Sequence, residues 1–260
     1  MENQNLLLSV IIITKNEEDR LRLCLESVRD LADEIILLDS GSTDKTLGIA
    51  KEYTDQIYET DWPGYGTQKQ RALEKAVGKW VLSIDADEAL TDDLRKEIKE
   101  TLAKNPDEVA FKIPWAVTIF GKRLDHGNSA RNVKRLFRRK GARFTDSIIH
   151  EKILTSQGRT GKLKGRLTHY SIRDFEHYLI KNRTYAWLGS LKRFDDGKHG
   201  GGLSGASFRA IWVFFNTYFL RRGFLDGSVG FLVACMYAQS AFNKYAGLWT
   251  LRRNRKLNQK

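Results

Sequence analysis

The sequence predicts an α/β protein built on a mixed, mainly parallel sheet with flanking helices, followed by a C-terminal helical region. Two observations carry this prediction. In the first part of the chain, apolar runs of strand length alternate with helical segments, and the connections are long enough for parallel pairing. Shorter strand-like runs in a basic setting follow, and the chain then continues in two aromatic, apolar segments of helical length.

The first strand is expected over residues 6–13, because the run LLLSVIII is apolar except for Ser9, as in the interior of a parallel sheet. It ends in the polar sequence TKNE, residues 14–17, ahead of an amphipathic helix. A second strand over residues 34–38 ends in DSGSTD, residues 39–44, where Gly41 allows a tight turn. Ligands of open α/β sheets bind beyond the carboxyl ends of the strands, so both polar sequences are predicted to face one crevice.

A third strand over residues 56–59 leads through a helix over residues 67–77 to a fourth strand that begins at Trp80. An Asp-x-Asp pair follows this strand, and it can bring two hard oxygens to a divalent cation that keeps other positions open for phosphate oxygens. The simpler interpretation is a solvated turn whose last acid starts the next helix. The acids concerned are Asp85, Asp87 and Glu88.

The second half is predicted to extend the sheet by antiparallel or mixed pairing. A helix over residues 91–104, opened by a Thr cap, separates it from the first half. Its strands are expected over residues 109–117, 133–137, 143–144, 148–154 and 167–171.

The last part of the sequence is helical in pattern. A helix is predicted over residues 174–194, and a glycine-rich break over residues 195–204 follows it. Residues 206–220 and 228–251 form apolar segments that arginines separate and follow. Their pattern favours helices lying in the plane of a membrane interface, and the alternative is a helical hairpin packed on the sheet.

Charge is unevenly distributed. Residues 1–110 hold 14 Lys and Arg against 24 Asp and Glu, whereas residues 111–260 hold 30 against 8. The net charge of +12 therefore conceals a strongly basic second half. Such a half needs an acidic partner, and nucleic acid, an anionic membrane surface and a phosphorylated substrate all qualify.

The two cysteines, Cys24 and Cys235, lie in apolar surroundings without a CxxC pattern or a nearby histidine. This argues against a zinc site and against a disulfide framework. No signal peptide is visible at the start of the sequence, so we expect a cytoplasmic location.

Four polar sequences stand in one order: TKNE, DSGSTD, the sequence DADE at residues 85–88, and Ile149-His150-Glu151 in the basic half. Together they resemble glycosyltransferase family 2, the inverting, nucleotide-sugar-dependent enzymes of the Rossmann-like GT-A fold. The forms of the first three are most similar to the branch of bacterial lipopolysaccharide core β-1,4-glucosyltransferases. The resemblance covers residues 8–170 well, and the sequence GFLDG at residues 223–227 is similar to that branch too.

The resemblance implies a domain organisation. Residues 1–195 would form the GT-A catalytic domain, with a nucleotide-binding half (1–110) and an acceptor-binding half (111–195). Residues 196–204 would be a linker, and residues 205–260 would form amphipathic, membrane-associated helices.

It also implies residues that bind the nucleotide sugar. Acids at strand ends suit ribose hydroxyls and the imide N–H of uracil. Capping by threonine, turn formation by aspartate and a solvated helix lysine are the alternatives. The implied donor-binding residues are Thr14, Asn16, Glu17, Asp39, Lys69 and Asp85.

A divalent metal ion, Mn²⁺ or Mg²⁺, would bridge the diphosphate. The resemblance implies Asp87 as its ligand, with Asp85 contacting either the ribose or the metal and His169 as a further ligand. The metal would stabilise the negative charge that builds up on the leaving UDP.

Inversion at the anomeric carbon requires a base that takes the proton of the acceptor hydroxyl, and a carboxylate is the usual group. Glu151 occupies the position where the family carries its base, although many members have Glu-Asp where this chain has His150-Glu151. We favour Glu151, with His150 orienting it or binding the acceptor. The alternative is a strand with polar side chains on its exposed face.

The implied partners are a UDP-sugar, an anionic glycolipid such as the lipopolysaccharide inner core, and the inner leaflet of the membrane. Competing hypotheses are a polyprenyl-phosphate sugar transferase and a basic, non-catalytic protein that binds membranes or nucleic acid. Nucleic acid is not the expected partner, because no recognised binding motif is present. The basic residues that would meet an anionic surface are Arg131, Lys134, Arg135, Arg138, Arg139 and Arg143.

Overall fold

A computed structural model describes residues 6–127, 131–146 and 151–258. The sheet strands follow the predicted sequence order, with three short ones added that the sequence did not indicate. The strands are β1 (Leu8–Thr14), β2 (Glu34–Asp39), β3 (Ile57–Glu59), β4 (Trp80–Asp85), β5 (Glu88–Leu90), β6 (Ala110–Ile119), β7 (Lys122–Leu124), β8 (Asn132–Arg138), β9 (Arg143–Phe144), β10 (Ile153–Leu154), β11 (Thr160–Lys162) and β12 (Leu167–Ile172).

The helices also fall close to their predicted places. Thr91 caps the helix that follows β5, as predicted, because its side chain accepts a hydrogen bond from the amide of Leu94. The helices are α1 (Leu21–Val28), α2 (Thr46–Ala50), α3 (Tyr65–Lys75), α4 (Asp92–Ala103), α5 (Phe175–Asp195), α6 (Gly202–Phe215) and α7 (Gly227–Leu257).

The predicted mixed sheet is confirmed. Its main path runs in the order β3-β2-β1-β4-β8-β6-β12-β5. The strands β3, β2, β1 and β4 are parallel, whereas β8 pairs antiparallel with both β4 and β6. The change from parallel to antiparallel pairing therefore comes at the strand that ends in Asp85.

The strand β1 is buried on both faces, as its apolar sequence predicts. Alternate residues point to opposite faces of a strand, and Val10 and Ile12 pack into one hydrophobic cluster whereas Ile11 and Ile13 pack into another. The first cluster includes the fully buried Trp80. Because side chains on both faces of β1 are buried in a hydrophobic core, the pairing register of β1 with its neighbours is fixed. This register places the carboxyl ends of β1, β2 and β4 side by side.

The structure divides into two compact units. The first consists of Met1–Ala116 and Arg131–Tyr170, and the second of Val117–Ala130 and Ser171–Lys260. In the second unit, α7 packs against α5 and α6. The helix α5, which the sequence analysis placed in the catalytic domain, thus belongs with the C-terminal helices.

The helices α6 and α7 of the second unit correspond to the two apolar segments predicted over residues 206–220 and 228–251. The helix α6 continues as a π-helical turn, Asn216–Leu220, and a 3₁₀ turn, Gly223–Asp226, precedes α7. Arg222 lies between them with a left-handed φ of +57°. Within the described ranges, no helix combines the length and the apolar character that a bilayer crossing requires.

One predicted strand is only partly covered. Of residues 148–154, Ile153–Leu154 form β10, which pairs antiparallel with β9. These two strands form a separate two-stranded sheet, so the prediction that they extend the main sheet is wrong. The candidate base His150 lies outside the described residues, so its role stays a prediction.

Candidate active site

The ends of three parallel strands lie level with one another. Thr14 at the end of β1 is the register partner of Asp39 at the end of β2. On the other side of β1, Ile13 is paired with Asp85 at the end of β4. The polar sequences that follow these strands therefore leave the sheet at one edge, as predicted.

The loops after β1 and β2 are joined by hydrogen bonds. The amide of Asn16 donates to Ser42 Oγ at 2.8 Å, and the amide of Thr43 donates to Asn16 Oδ1 at 2.8 Å. The amide of Glu17 donates to Thr46 Oγ1, also at 2.8 Å. Asn16 adopts a left-handed φ of +53°, which asparagine tolerates better than most residues. The sequences TKNE and DSGSTD thus form one continuous surface.

Asp39 shapes the second of these loops. Its carboxylate is buried and accepts hydrogen bonds from the amides of Gly41 at 2.9 Å and Ser42 at 2.7 Å. Ser42 Oγ donates to the other carboxylate oxygen at 2.5 Å. Asp39 therefore forms the turn, as the alternative interpretation predicts. Its Oδ2 accepts two hydrogen bonds and its Oδ1 accepts one, so one acceptor position remains on Oδ1.

Asp85 lies between two cations. Its Oδ1 is 2.7 Å from Lys69 Nζ, and its Oδ2 accepts a hydrogen bond from Arg135 Nη2 at 2.5 Å. Burial alone would raise the pKa of Asp85, but the charges of Arg135 and Lys69 outweigh it and hold the pKa well below its usual range. Asp85 is therefore ionised at neutral pH.

Glu88 is the second acid on Arg135. Its Oε1 accepts hydrogen bonds from Arg135 Nη2 at 2.6 Å and from Trp115 Nε1 at 2.8 Å, and its Oε2 accepts one from the amide of Asp85 at 2.9 Å. Burial raises the pKa of Glu88, and the nearby charge of Asp85 adds to the rise. The interpretation of Glu88 as the start of a helix is wrong, because Glu88 begins the buried strand β5.

Lys69 joins two carboxylates. It lies on α3, is 2% exposed, and its Nζ is 2.7 Å from both Asp85 Oδ1 and Glu151 Oε1. The alternative of a solvated helix lysine is therefore wrong, whereas the assignment of Lys69 to the nucleotide stays a prediction. In the structure Lys69 brings together the acid that ends β4 and the predicted base.

Asp87 and His169 lie next to each other. Asp87 Oδ2 is 3.3 Å from His169 Nε2 and 3.5 Å from Arg20 Nη1. Hydrogen bonds to the backbone hold this pair, because the amide of Tyr170 donates to Asp87 O at 2.9 Å and the side chain of Arg20 donates to Tyr170 O. His169 stacks on Trp115 with 4.8 Å between the ring centroids.

These residues fit a divalent cation with two protein ligands. Asp87 offers a carboxylate oxygen and His169 an imidazole nitrogen, and these two atoms lie 3.3 Å apart. Both oxygens of Asp85 are engaged by Lys69 and Arg135, so Asp85 is not counted as a ligand. Within the described part of the chain, no three His, Cys, Asp or Glu side chains are grouped as a metal site would need. A Mg²⁺-like or Mn²⁺-like ion that uses one or two carboxylates takes its other ligands from substrate phosphates and water, which suits this arrangement.

Three residues of the site are not indicated by the sequence motifs. No sequence motif includes Arg20 or Trp115, and Arg135 was assigned to a basic surface. In fact Arg135 is 7% exposed and pairs with Asp85 and Glu88. Arg138, assigned to the same surface, donates to the carbonyls of Pro106 and Glu108 instead. The signal that was available for Arg135 is its position directly before Leu136 and Phe137 in a predicted strand, because a charged side chain that is buried there needs buried partners.

The family model for glycosyl transferase family 2 matches residues 9–161. The chain belongs to this family. A glycosyltransferase of Rickettsia prowazekii is 33% identical over 256 residues, which cover 93% of this chain and 86% of that protein. The lipopolysaccharide core biosynthesis glycosyltransferase LpsC of Rhizobium meliloti is 30% identical over 261 residues, covering 92% of this chain and 93% of LpsC. This family 2 member is therefore a glycosyltransferase.

Solved structures of similar proteins include residues 1–349 of TarS from S. aureus. It is 16% identical, with alignment over 95% of this chain and 92% of that one, and the TM-score is 0.46. Glucosyl-3-phosphoglycerate synthase from Mycobacterium tuberculosis, solved with Mn²⁺ and UDP-glucose, is 26% identical over 42% of this chain and 44% of that one, with a TM-score of 0.37.

Proposed function

We propose that this family 2 glycosyltransferase transfers a sugar from a UDP-sugar to a glycolipid acceptor of the lipopolysaccharide core type, with inversion at the anomeric carbon. The observation that carries the proposal is the convergence of Asp85 and Glu151 on Lys69, beside the surface formed by the two strand-end loops. The similarity to LpsC over 92% of this chain supports the acceptor class.

The loops TKNE and DSGSTD are the proposed site of the uridine. Thr14 Oγ1 is buried and has no hydrogen-bond partner within the described residues, and a buried polar atom of this kind needs a partner. A nucleoside that binds over the ends of β1 and β2 supplies one. Thr14, Asn16, Glu17 and Asp39 are the residues assigned to it.

Asp87 and His169 are the proposed ligands of Mn²⁺ or Mg²⁺. When bound, such an ion supplies positive charge to the diphosphate leaving group. Asp85 is assigned to the donor through its position at the strand end, with Lys69 and Arg135 fixing its carboxylate.

Glu151 is the proposed base. The acceptor oxygen forms a bond to the anomeric carbon, the bond from that carbon to the diphosphate oxygen breaks with its electron pair going to UDP, and Glu151 takes the acceptor proton. Lys69 holds Glu151 Oε1, so we assign the proton to Oε2. The 2.7 Å contact with a buried ammonium orients the base before the acceptor arrives.

The second unit is the proposed membrane-facing part. Apolar side chains on α6 and the π-helical turn are exposed, and six of them are at least 44% exposed: Phe208, Ile211, Trp212, Phe215, Phe219 and Leu220. An apolar stripe of this kind suits the boundary between headgroups and acyl chains. The unit holds 17 Lys and Arg against 6 Asp and Glu, which favours the anionic inner leaflet where such an acceptor is assembled.

The experiment is a transfer assay with a panel of UDP-sugars, Mn²⁺, and either truncated lipopolysaccharide core or a polyprenyl phosphate as acceptor. We expect transfer to the core acceptor. Glu151→Gln should retain UDP binding and lose transfer by about two to four orders of magnitude, which is the usual contribution of general base catalysis. Full transfer by Glu151→Gln would refute the base assignment, and exclusive use of the polyprenyl phosphate would refute the acceptor class.

A further inference from the structure

The second unit contains a basic cleft that the proposed transfer reaction does not use. It has a volume of about 580 Å³ and lies where the glycine-rich turn before α6 meets the last turns of α7. The residues that line it are His199, Gly200, Gly201, Gly202, Leu248, Trp249, Arg252, Arg253, Lys256 and Leu257.

The cleft carries positive charge without a carboxylate to balance it. Arg252, Arg253 and Lys256 all line it, and none of the described lining residues is an Asp or Glu. The nearby Asp196 forms an ion pair with Lys198, with 3.2 Å between Oδ2 and Nζ. An anionic ligand would balance this charge, and guanidinium groups bind phosphate with particular geometric fit.

Arg252 is held in position before any ligand binds. Its Nη2 donates to the carbonyls of Gly197 at 2.7 Å and Lys198 at 2.5 Å, and its Nη1 lies 3.1 Å from His199 Nδ1. Its Nε is buried and has no hydrogen-bond partner within the described residues. A buried donor without a partner is rare, and a bound anion is one of the ways in which such a donor is satisfied.

Three of the residues that line the cleft are glycines. Gly201 and Gly202 have left-handed φ values of +73° and +70°, which other residues rarely adopt in succession. A Cβ at Gly200 would come within 3.3 Å of both Leu248 and Tyr245. The three glycines therefore let the turn lie close against α7, and the charged side chains of that helix surround one space.

We propose that this cleft binds a phosphate group. The lining is partly apolar, with Trp249 beneath the guanidinium of Arg253 at 5.2 Å from its ring centroid, and Leu257 is exposed beside them. The cleft also adjoins the start of α6, whose exposed apolar face begins a few residues later. The phosphate of a membrane lipid and free phosphate share the chemistry that this lining recognises. This proposal is independent of the transfer reaction.

The test uses the full-length protein and the double variant R253Q/K256Q, because both residues are exposed and Arg252, which holds the backbone, is left intact. The matched control is R183Q/K192Q, which removes the same charge from exposed positions of α5 outside the cleft. Inorganic phosphate is titrated by calorimetry. Vesicles of phosphatidylcholine, with and without phosphatidic acid, are tested by co-sedimentation, and hydrolysis of the UDP-sugar is measured in parallel.

We expect R253Q/K256Q to weaken binding to vesicles with phosphatidic acid by roughly tenfold or more, since each cation near an anionic leaflet contributes about a factor of five. The control should lose much less, and UDP-sugar hydrolysis should be unchanged in both. If R253Q/K256Q loses affinity for inorganic phosphate as much as for vesicles, the phosphate group alone is sufficient for binding. If it loses affinity only for vesicles, the ligand is the phosphate of a lipid headgroup. Equal losses in the two double variants, or no binding of either probe by the parent protein, would overturn the proposal.

Discussion

Replacing Lys69 by methionine tests the central contact of the site. Methionine fills a similar volume on α3 but removes the ammonium that lies 2.7 Å from Asp85 Oδ1 and 2.7 Å from Glu151 Oε1. Arg135 still neutralises Asp85, but Glu151 loses the one cation with which it pairs among the residues that the structure describes. Removing one partner of a buried ion pair typically costs about 3–5 kcal/mol, because a buried charge is left without compensation.

The expected loss for Lys69→Met lies toward the lower end of that range, since Arg135 remains and the side chain of Glu151 is 16% exposed. In a protein of this size, 3 kcal/mol corresponds to a fall in Tm of roughly 6–12 °C. Urea unfolding and thermal unfolding would measure the change. The matched control is Lys75→Met on the same helix, because Lys75 is exposed and, among the described residues, contacts only the ring of Tyr58. We expect that control to lose less than about 1 kcal/mol.

A double-mutant cycle separates the Lys69 pair from a general effect of burial. If the ammonium acts on Glu151, Lys69→Met combined with Glu151→Gln should lose less stability than the sum of the single changes, by about 0.5–3 kcal/mol. Strict additivity, or a Lys69→Met protein as stable as Lys75→Met, would refute the contact on which the proposed site depends.

Three further predictions concern pH, metal and membrane. Because the pKa of Asp85 is lowered, its contribution is present above its ordinary pKa of 3.8 and falls as the pH drops below that value. The difference in unfolding free energy between the parent and Asp85→Asn should therefore be constant from neutral pH down to about pH 4 in urea titrations, and its loss near pH 6 would contradict the assignment. Mn²⁺ added with UDP should raise the Tm of the parent but not of Asp87→Ala or His169→Ala, whereas the exposed Asp93→Ala should respond like the parent. The double variant F208S/W212S should lose most of its binding to anionic vesicles, and Leu23→Ser, which changes a 46% exposed leucine of α1, should not.

The sequence was sufficient for the first half of the fold because its signals are local. An apolar run such as β1 can only be buried, and the polar residues that end β1, β2 and β4 come together at one edge once the strands pair in parallel. The candidate residues Thr14, Asp39 and Asp85 are therefore found where the pattern predicts them. The cap at Thr91 follows from an equally local rule.

The sequence did not predict which cations pair with these acids. Arg135 lies 50 positions from Asp85 along the chain, and Lys69 lies 82 positions from Glu151. A basic side chain in a basic half is most simply placed at the surface, and only the antiparallel pairing of β8 with β4 brings Arg135 to the acids. Three-residue strands such as β5 also leave too short a pattern to distinguish from a turn, which explains why a helix start at Glu88 was the simpler alternative interpretation.

The arrangement of cations explains how four acids can share one edge of the sheet. Asp85 and Glu88 are held by Arg135, Asp85 and Glu151 by Lys69, and Asp87 lies beside Arg20. Each of these contacts lowers the repulsion between carboxylates that would otherwise face each other in a buried place. A UDP-sugar brings further negative charge, so the same edge needs additional positive charge when the donor binds. Asp87 and His169 are the proposed ligands of a divalent cation at this edge, and we therefore expect a requirement for metal that appears only together with the nucleotide.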